Sequence, residues 1–185
     1  GKEQHGCIMS VGFDLYCSLL EKTVKKMKGE PVEEDHPVEI RWKAESYIPR
    51  DYIPVESQRL GIYKRLSEAK SMEVLEDIRT ELRDRYGKIP EPVDQLLKIT
   101  AVRILCSNLG IAQIVLTKDG FKITCEERAR VVSLSEAIKK SVKNNGSDAD
   151  VDVFNDNTLH IRVEGWRKAP QLKKAVNLLS VRLED

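Results

Sequence analysis

Glu81 and Asp84 stand three residues apart in a segment whose apolar positions Leu75, Ile78 and Leu82 recur at helical spacing. The two carboxylates therefore project to one side, next to a buried stripe. Paired carboxylates can divide general-acid and general-base work when they flank a pocket that gives them unequal environments. Arg83 and Arg85 interrupt the acidic patch, so the same residues also read as a solvated charge mosaic with internal ion pairs. A third reading is a docking face for an electropositive protein, where arginine–carboxylate contacts supply specificity and two-pronged geometry.

Other reactive residues form weaker constellations. His5, Cys7 and Cys17 are soft metal ligands by type, but their spacing lacks a closed zinc pattern. His36 lies beside a proline-rich acidic stretch, and His160 alternates with Leu159 and Ile161 as a strand residue. Nothing local pairs a histidine with a cysteine as an activated nucleophile would require. No glycine-rich loop ends in Lys-Ser or Lys-Thr, and Gly6, Gly12 and Gly29 are too widely spaced for a dinucleotide fingerprint. We therefore assign no catalytic, metal or cofactor residue, and nucleotide hydrolysis by this chain is not expected. Lys22, Lys25, Lys26 and Lys28, and separately Arg167, Lys168, Lys173 and Lys174, could meet phosphates, although each cluster also reads as a solvated helix face. Trp42 and Tyr47 could stack on bases; with so few aromatics, anchoring in a core is the preferred reading.

The elements that must position these residues follow from periodicity. Leu15, Tyr16, Leu19, Leu20, Thr23, Val24 and Met27 predict a helix over 13–28, ending in lysines that complement its dipole and in Gly29. Glu30 to Pro37 reads as a linker. Val38, Ile40, Trp42 and Ala44 alternate with charged residues as a half-buried strand, and YIPRDYIP at 47–54 reads as an irregular crossing with aromatic anchors. Three helices follow, over 55–68, from Ser71 or Met72 to Tyr86, and over 91–109, with stripes at Val55, Ile62, Leu66, then Leu75, Ile78, Leu82, then Val93, Leu97, Ala101, Ile104, Leu105. Gly87 and Gly110 are natural stops. Beyond Gly110 a strand–strand–helix unit is used twice: strands 111–117 and 121–125 around Asp119-Gly120 with a helix from Ser133 or Leu134 to Asn144, then strands 151–154 and 159–163 with a helix over 169–184. The expected fold is α+β, a helical N-terminal half followed by a small sheet with helices packed against it.

Composition narrows the function classes. The chain has 185 residues, and 31 basic less 30 acidic side chains leave a net charge of +1, so no long-range field draws a polyanion. Its longest apolar runs fall well short of the roughly 20 residues that cross a bilayer. Four unpaired-looking cysteines, Cys7, Cys17, Cys106 and Cys125, suit a reducing cytoplasm. A start at Gly1 points to a piece of a longer protein.

Glu3, Gln4 and Gly6, VGFDLY at 11–16, YIP at 52–54, Arg59, Tyr63 and Lys64, ELRDRYGKIP at 81–90, and Leu109-Gly110-Ile111 occur in an order and spacing that resembles the C-terminal region of the bacterial transcription-repair coupling factor family. The resemblance covers almost the whole chain, with His5 and Cys7 departing from the family pattern. It implies that residues 1–30 are the tail of a motor module and 31–185 a C-terminal regulatory domain. It further implies an autoinhibitory protein-interaction domain that packs intramolecularly on an N-terminal repair-recruitment module, masks the surface recruiting the excision-repair damage-recognition ATPase, and restrains the motor. Glu81 and Asp84 match acidic positions that face arginines across that interface. The parent protein is implied to be an ATP- and magnesium-dependent translocase on double-stranded DNA that acts on stalled RNA polymerase in the cytoplasm, with no cofactor in this fragment. No functional residue is carried over from Gly110 onward. The alternative is a nucleic-acid-binding accessory domain using the basic clusters.

Overall fold

The computed structural model describes residues 38–42, 45–146, 148–166 and 171–183. The expected helix over 13–28, the lysines at its end, His5, Cys7, Cys17, His36, Arg167 and Lys168 lie outside these residues. The described chain divides into two compact units, one holding 45–104 and the other 38–42 together with the residues from Leu105 onward.

The first unit is helical: α1 (Glu56–Glu68), α2 (Met72–Tyr86) and the greater part of α3 (Glu91–Asn108). Its lead-in, 45–55, is irregular, as two prolines dictate. The anchors expected there are aromatic, whereas the side chains most deeply inserted are Ile48 and Ile53. The Ile48 N–H donates to Tyr63 Oη at 2.7 Å, and Arg59 Nη1 donates to the carbonyls of Ile53 and Pro54 at 2.7 and 2.9 Å. Arg59 is buried because these backbone acceptors satisfy it, and α1 turns Arg59, Ile62, Tyr63 and Leu66 inward. The predicted stripe placed Val55 inside; it is exposed and stands at the helix N-cap, before the first turn.

Ser71 starts α2 by accepting a bond from the Val74 N–H at 3.3 Å. Gly87 ends it at φ +82, a left-handed value at which a Cβ would be strained, with its N–H bonded to the Arg83 carbonyl. Leu75, Ile78 and Leu82 are buried, as their spacing predicts. Gln58 meets Tyr86 and Arg65 meets Glu81, so α1 and α2 run antiparallel. Arg79 Nη1 on α2 reaches Asp94 Oδ1 on α3 at 3.1 Å, and Arg103 Nη2 on α3 caps the end of α1 through the carbonyls of Leu66 and Ala69, at 2.7 and 3.1 Å.

In the second unit one mixed sheet has the order β1-β2-β3-β5-β4, built from β1 (Glu39–Arg41), β2 (Ile111–Leu116), β3 (Gly120–Cys125), β4 (Ala149–Asn155) and β5 (Thr158–Val163). Among the described strands only the β1–β2 pair is parallel. Registers align Ile40, Ile114, Ile123, Leu159 and Val153 in one row and Leu116, Phe121, Ile161 and Val151 in the next. These rows share one face; α4 (Arg128–Asn145) packs against β3, β4 and β5 and against α5 (Gln171–Leu179), while Val153 stays exposed. Phe121 (buried), Trp166 (buried) and Trp42 form an aromatic cluster with ring centroids 5.7–6.3 Å apart, so Trp42 anchors a core. The strand–strand–helix unit occurs twice as expected. Two helix ends differ: α4 begins at Arg128, several residues before the first apolar contacts of its predicted stretch, and α5 ends at Leu179.

Candidate interaction surface

With Leu75, Ile78 and Leu82 turned inward, α2 carries Glu81 and Asp84 on its outer side. The structure gives the two acids different surroundings. Glu81 is 28% exposed and accepts from two guanidiniums, Arg65 Nη1 on Oε2 at 2.5 Å and Arg85 Nη1 on Oε1 at 2.7 Å. These bonds, the Arg65 contact first, hold the Glu81 carboxyl below the usual carboxylate range. Asp84 is 66% exposed, and Arg83 Nε stands 3.8 Å from its Oδ1, beyond hydrogen-bonding distance.

Arg85 rests on an aromatic seat. The Arg85 guanidinium lies 5.2 Å from the centroid of the Tyr86 ring, and that ring packs against Tyr52 at 5.8 Å. Tyr52 Oη donates to the Leu82 carbonyl at 3.0 Å, and Tyr86 Oη bonds Gln58 Oε1 at 3.3 Å. This face therefore consists of charges fixed over a packed base.

Residues with other potential chemistry are placed differently. Burial pushes the Cys125 thiol up to about 11 and the Cys106 thiol higher still, so neither supplies a thiolate near neutrality. His160 Nε2 lies 3.3 Å from both Asp119 Oδ1 and Thr117 Oγ1, and Thr117 Oγ1 donates to Asp119 Oδ1 at 2.9 Å. A relay needs the acid and the nucleophile on opposite ring nitrogens. Here both meet the same nitrogen, and the cluster braces the β2–β3 turn. Among the described residues no group of three or more His, Cys, Asp or Glu side chains could hold a metal ion. Lys174 of the second basic cluster donates to the Glu164 carbonyl at 3.1 Å.

The residues that build the α1–α2 face fall inside the segment, 42–134, that matches the model of the TRCF domain family. The chain belongs to this family. The TRCF domain here is 34% identical over 150 residues to a transcription-repair-coupling factor of Staphylococcus haemolyticus, matching 80% of this chain, and 38% identical over 136 residues to that of Escherichia coli K12, matching 71%. It spans 12% of the length of each of these relatives. The crystal structure of the C-terminal domain of a transcription-repair coupling factor superposes with a TM-score of 0.66 at 18% identity, covering 77% of this chain and 89% of that one. The chain thus shares the fold of that C-terminal domain.

The sequence placed Glu81 and Asp84 on one outward side of the helix with internal ion pairs, as the structure has them, but not which acid those pairs occupy. The Glu81–Arg85 pair is legible as an i,i+4 contact. Arg65 is sixteen positions from Glu81 and meets it only through helix packing, which no spacing rule reveals.

Proposed function

We propose that this TRCF domain is an autoinhibitory protein-interaction domain. It docks on an N-terminal module of the same coupling factor that resembles the excision-repair helicase subunit, masks the surface recruiting the damage-recognition ATPase, and restrains the motor. Residues 1–30 would be the motor tail and 31–185 the regulatory domain. The observation supporting this reading is the exposed acidic and arginine-rich face of α2, which carries Glu81 and Asp84 at the positions where the family resemblance expects charge contacts. The parent would hydrolyse ATP with magnesium, move on double-stranded DNA and act on stalled RNA polymerase in the cytoplasm.

A closed state of this kind needs no catalytic residue. Several modest contacts shift the population toward closure, and engagement of polymerase or DNA elsewhere in the protein shifts it back. Calorimetric titration of the purified chain with the separately purified N-terminal module tests the proposal, with an E81R/D84R double variant as control. Saturable binding that is lost in the folded variant is the expected result. Undiminished binding by that variant would remove these two residues from the interface.

A further inference from the structure

β4 lies at an edge of the sheet and, among the described strands, pairs with β5 alone. The Glu164 N–H donates to the Asp148 carbonyl at 2.9 Å. Hydrogen-bonded pairs alternate along an antiparallel ladder, so Asp150 opposite Arg162 and Asp152 opposite His160 turn their backbones to β5. Ala149, Val151 and Val153 turn theirs outward, presenting N–H and carbonyl groups to a further strand. A bulge between Val153 and Asn155 ends this stretch. Val153 and Phe154, the most exposed large apolar side chains among the described residues at 57% and 61%, stand at that end.

Side chains decide which strand fits. Val151 and Val153 share the face against which α4 packs, and Asp150 and Asp152 share the other. On that other face the acids are outermost. Arg162, one strand in, bonds Asp152, which stays 54% exposed; His160 is held by Asp119 and Thr117; and Lys122, two strands in, lies 3.7 Å from the centre of the Phe154 ring. Asp150 meets no cation among the described residues. Asp148 precedes the strand, and Asp156 beyond it stands 3.6 Å from Arg128. The helix α4, with Lys139, Lys140 and Lys143 in its second half, lies on the opposite side of the sheet.

A second copy of β4, paired antiparallel through the same outward groups, would set Val151 against Val151 and Asp150 against Asp152 twice over. Like charges directly opposite destabilise a strand pair, so the two acids bar self-association of this edge. A strand with lysine or arginine in those two places reverses that sign. Its intervening residues turn to the side of Val151 and Val153, where apolar groups suit the valines and further cations would meet the α4 lysines.

We infer that β4 is a docking edge for an extended segment of a partner protein that alternates basic and apolar residues. Its backbone bonds Ala149, Val151 and Val153, and its cations stand opposite Asp150 and Asp152, in the manner of strand addition to an open sheet. The inference does not depend on docking at Glu81 and Asp84.

Titration of the isotope-labelled 185-residue chain with a blocked nonapeptide alternating lysine and valine, followed by amide resonances and hydrogen exchange, tests it. Binding with a Kd of about 1 mM or tighter is expected. Exchange should slow at the amides of Ala149, Val151 and Val153 and change little at Asp150 and Asp152, which β5 already holds. A peptide alternating glutamate and valine should bind about tenfold more weakly or worse. V153P removes one outward donor without touching the β4–β5 ladder and should weaken binding about fivefold or more, and D150K/D152K should reverse the preference between the two peptides. No binding of the lysine peptide, equal binding of both peptides, or shifts without protection at the three outward amides would overturn the inference. So would unchanged affinity in folded V153P or an unchanged preference in folded D150K/D152K. Should either variant fail to fold, the exchange pattern and peptide preference of the unsubstituted chain decide.

Discussion

A Cβ placed on Gly120 would lie 1.9 Å from the carbonyl oxygen of Ile161, inside any permitted contact. Gly120 is paired with Arg162 across β3 and β5, and its missing side chain lets the two backbones approach where the β2–β3 turn ends and β3 begins. The conflict is with backbone, which cannot swing aside as a side chain does. Gly120→Ala should therefore destabilise the second unit by about 2–4 kcal/mol, read as a fall in denaturant midpoint with an unchanged slope. A midpoint within error of the unsubstituted chain would contradict the close approach.

Gly61 has the opposite setting. It lies inside α1 on the solvent side, and a Cβ there would meet nothing within 4 Å. Gly61→Ala should stabilise the chain by about 0.5–1 kcal/mol by reducing the freedom of the unfolded state and improving helix propensity. A thermal melt that rises by a few degrees is the expected result; a fall would mean that the outer face of α1 is not open.

Arg103 joins α3 to the end of α1 through the carbonyls of Leu66 and Ala69. Arg103→Met keeps most of the aliphatic volume and removes the donors, leaving two carbonyls at a helix end without this partner. The expected cost is about 1–3 kcal/mol, accompanied by faster amide hydrogen exchange over the last turn of α1. Loss of stability without that local exchange signature would argue that Arg103 acts by packing alone.

Acid should loosen the first unit. Burial raises the Asp94 pKa, but bonds from Lys98 and Arg79 outweigh it, and the carboxyl ends below its ordinary value; Glu81 is lowered by Arg65 and Arg85. A carboxyl whose folded pKa is depressed contributes stability that is present above the unfolded value, near 4, and is lost as pH falls through the folded value. The melting temperature should hold between about pH 7 and 5 and decline below about 4. Asp94→Asn should melt lower at pH 7, and its deficit should narrow in acid. A deficit independent of pH would show that charge at Asp94 is not what α2 and α3 share.

Much of this architecture was readable because the strongest local signals coincide with tertiary demands. Leu75, Ile78 and Leu82 repeat at helical spacing and are the residues α2 buries; Ser71 and Gly87 bound it with ordinary cap chemistry. Asp119-Gly120 announced the hairpin, although no described non-glycine residue has positive φ, and Gly120 is needed for clearance instead of turn geometry. Tertiary contacts explain what was missed. The start of α4 precedes its apolar stripe, because Arg128 to Arg130 extend the helix without burying it. At the candidate surface, one arginine was legible from helical spacing and the other was not, since Arg65 belongs to a different helix.

The three-residue strand β1 has a consequence for how the molecule is made. Glu39 bonds Gln113, 74 positions later, and the whole of 45–104 intervenes between the two strands. A ribosome exposes β1 long before its parallel neighbour exists, whereas α1 and α2 can pair from chain already synthesised. Closing so long a loop carries a larger entropic cost than any hairpin in the sheet. The helical unit should thus form first during synthesis, with β1 waiting as an unpaired strand until β2 and β3 emerge to receive it.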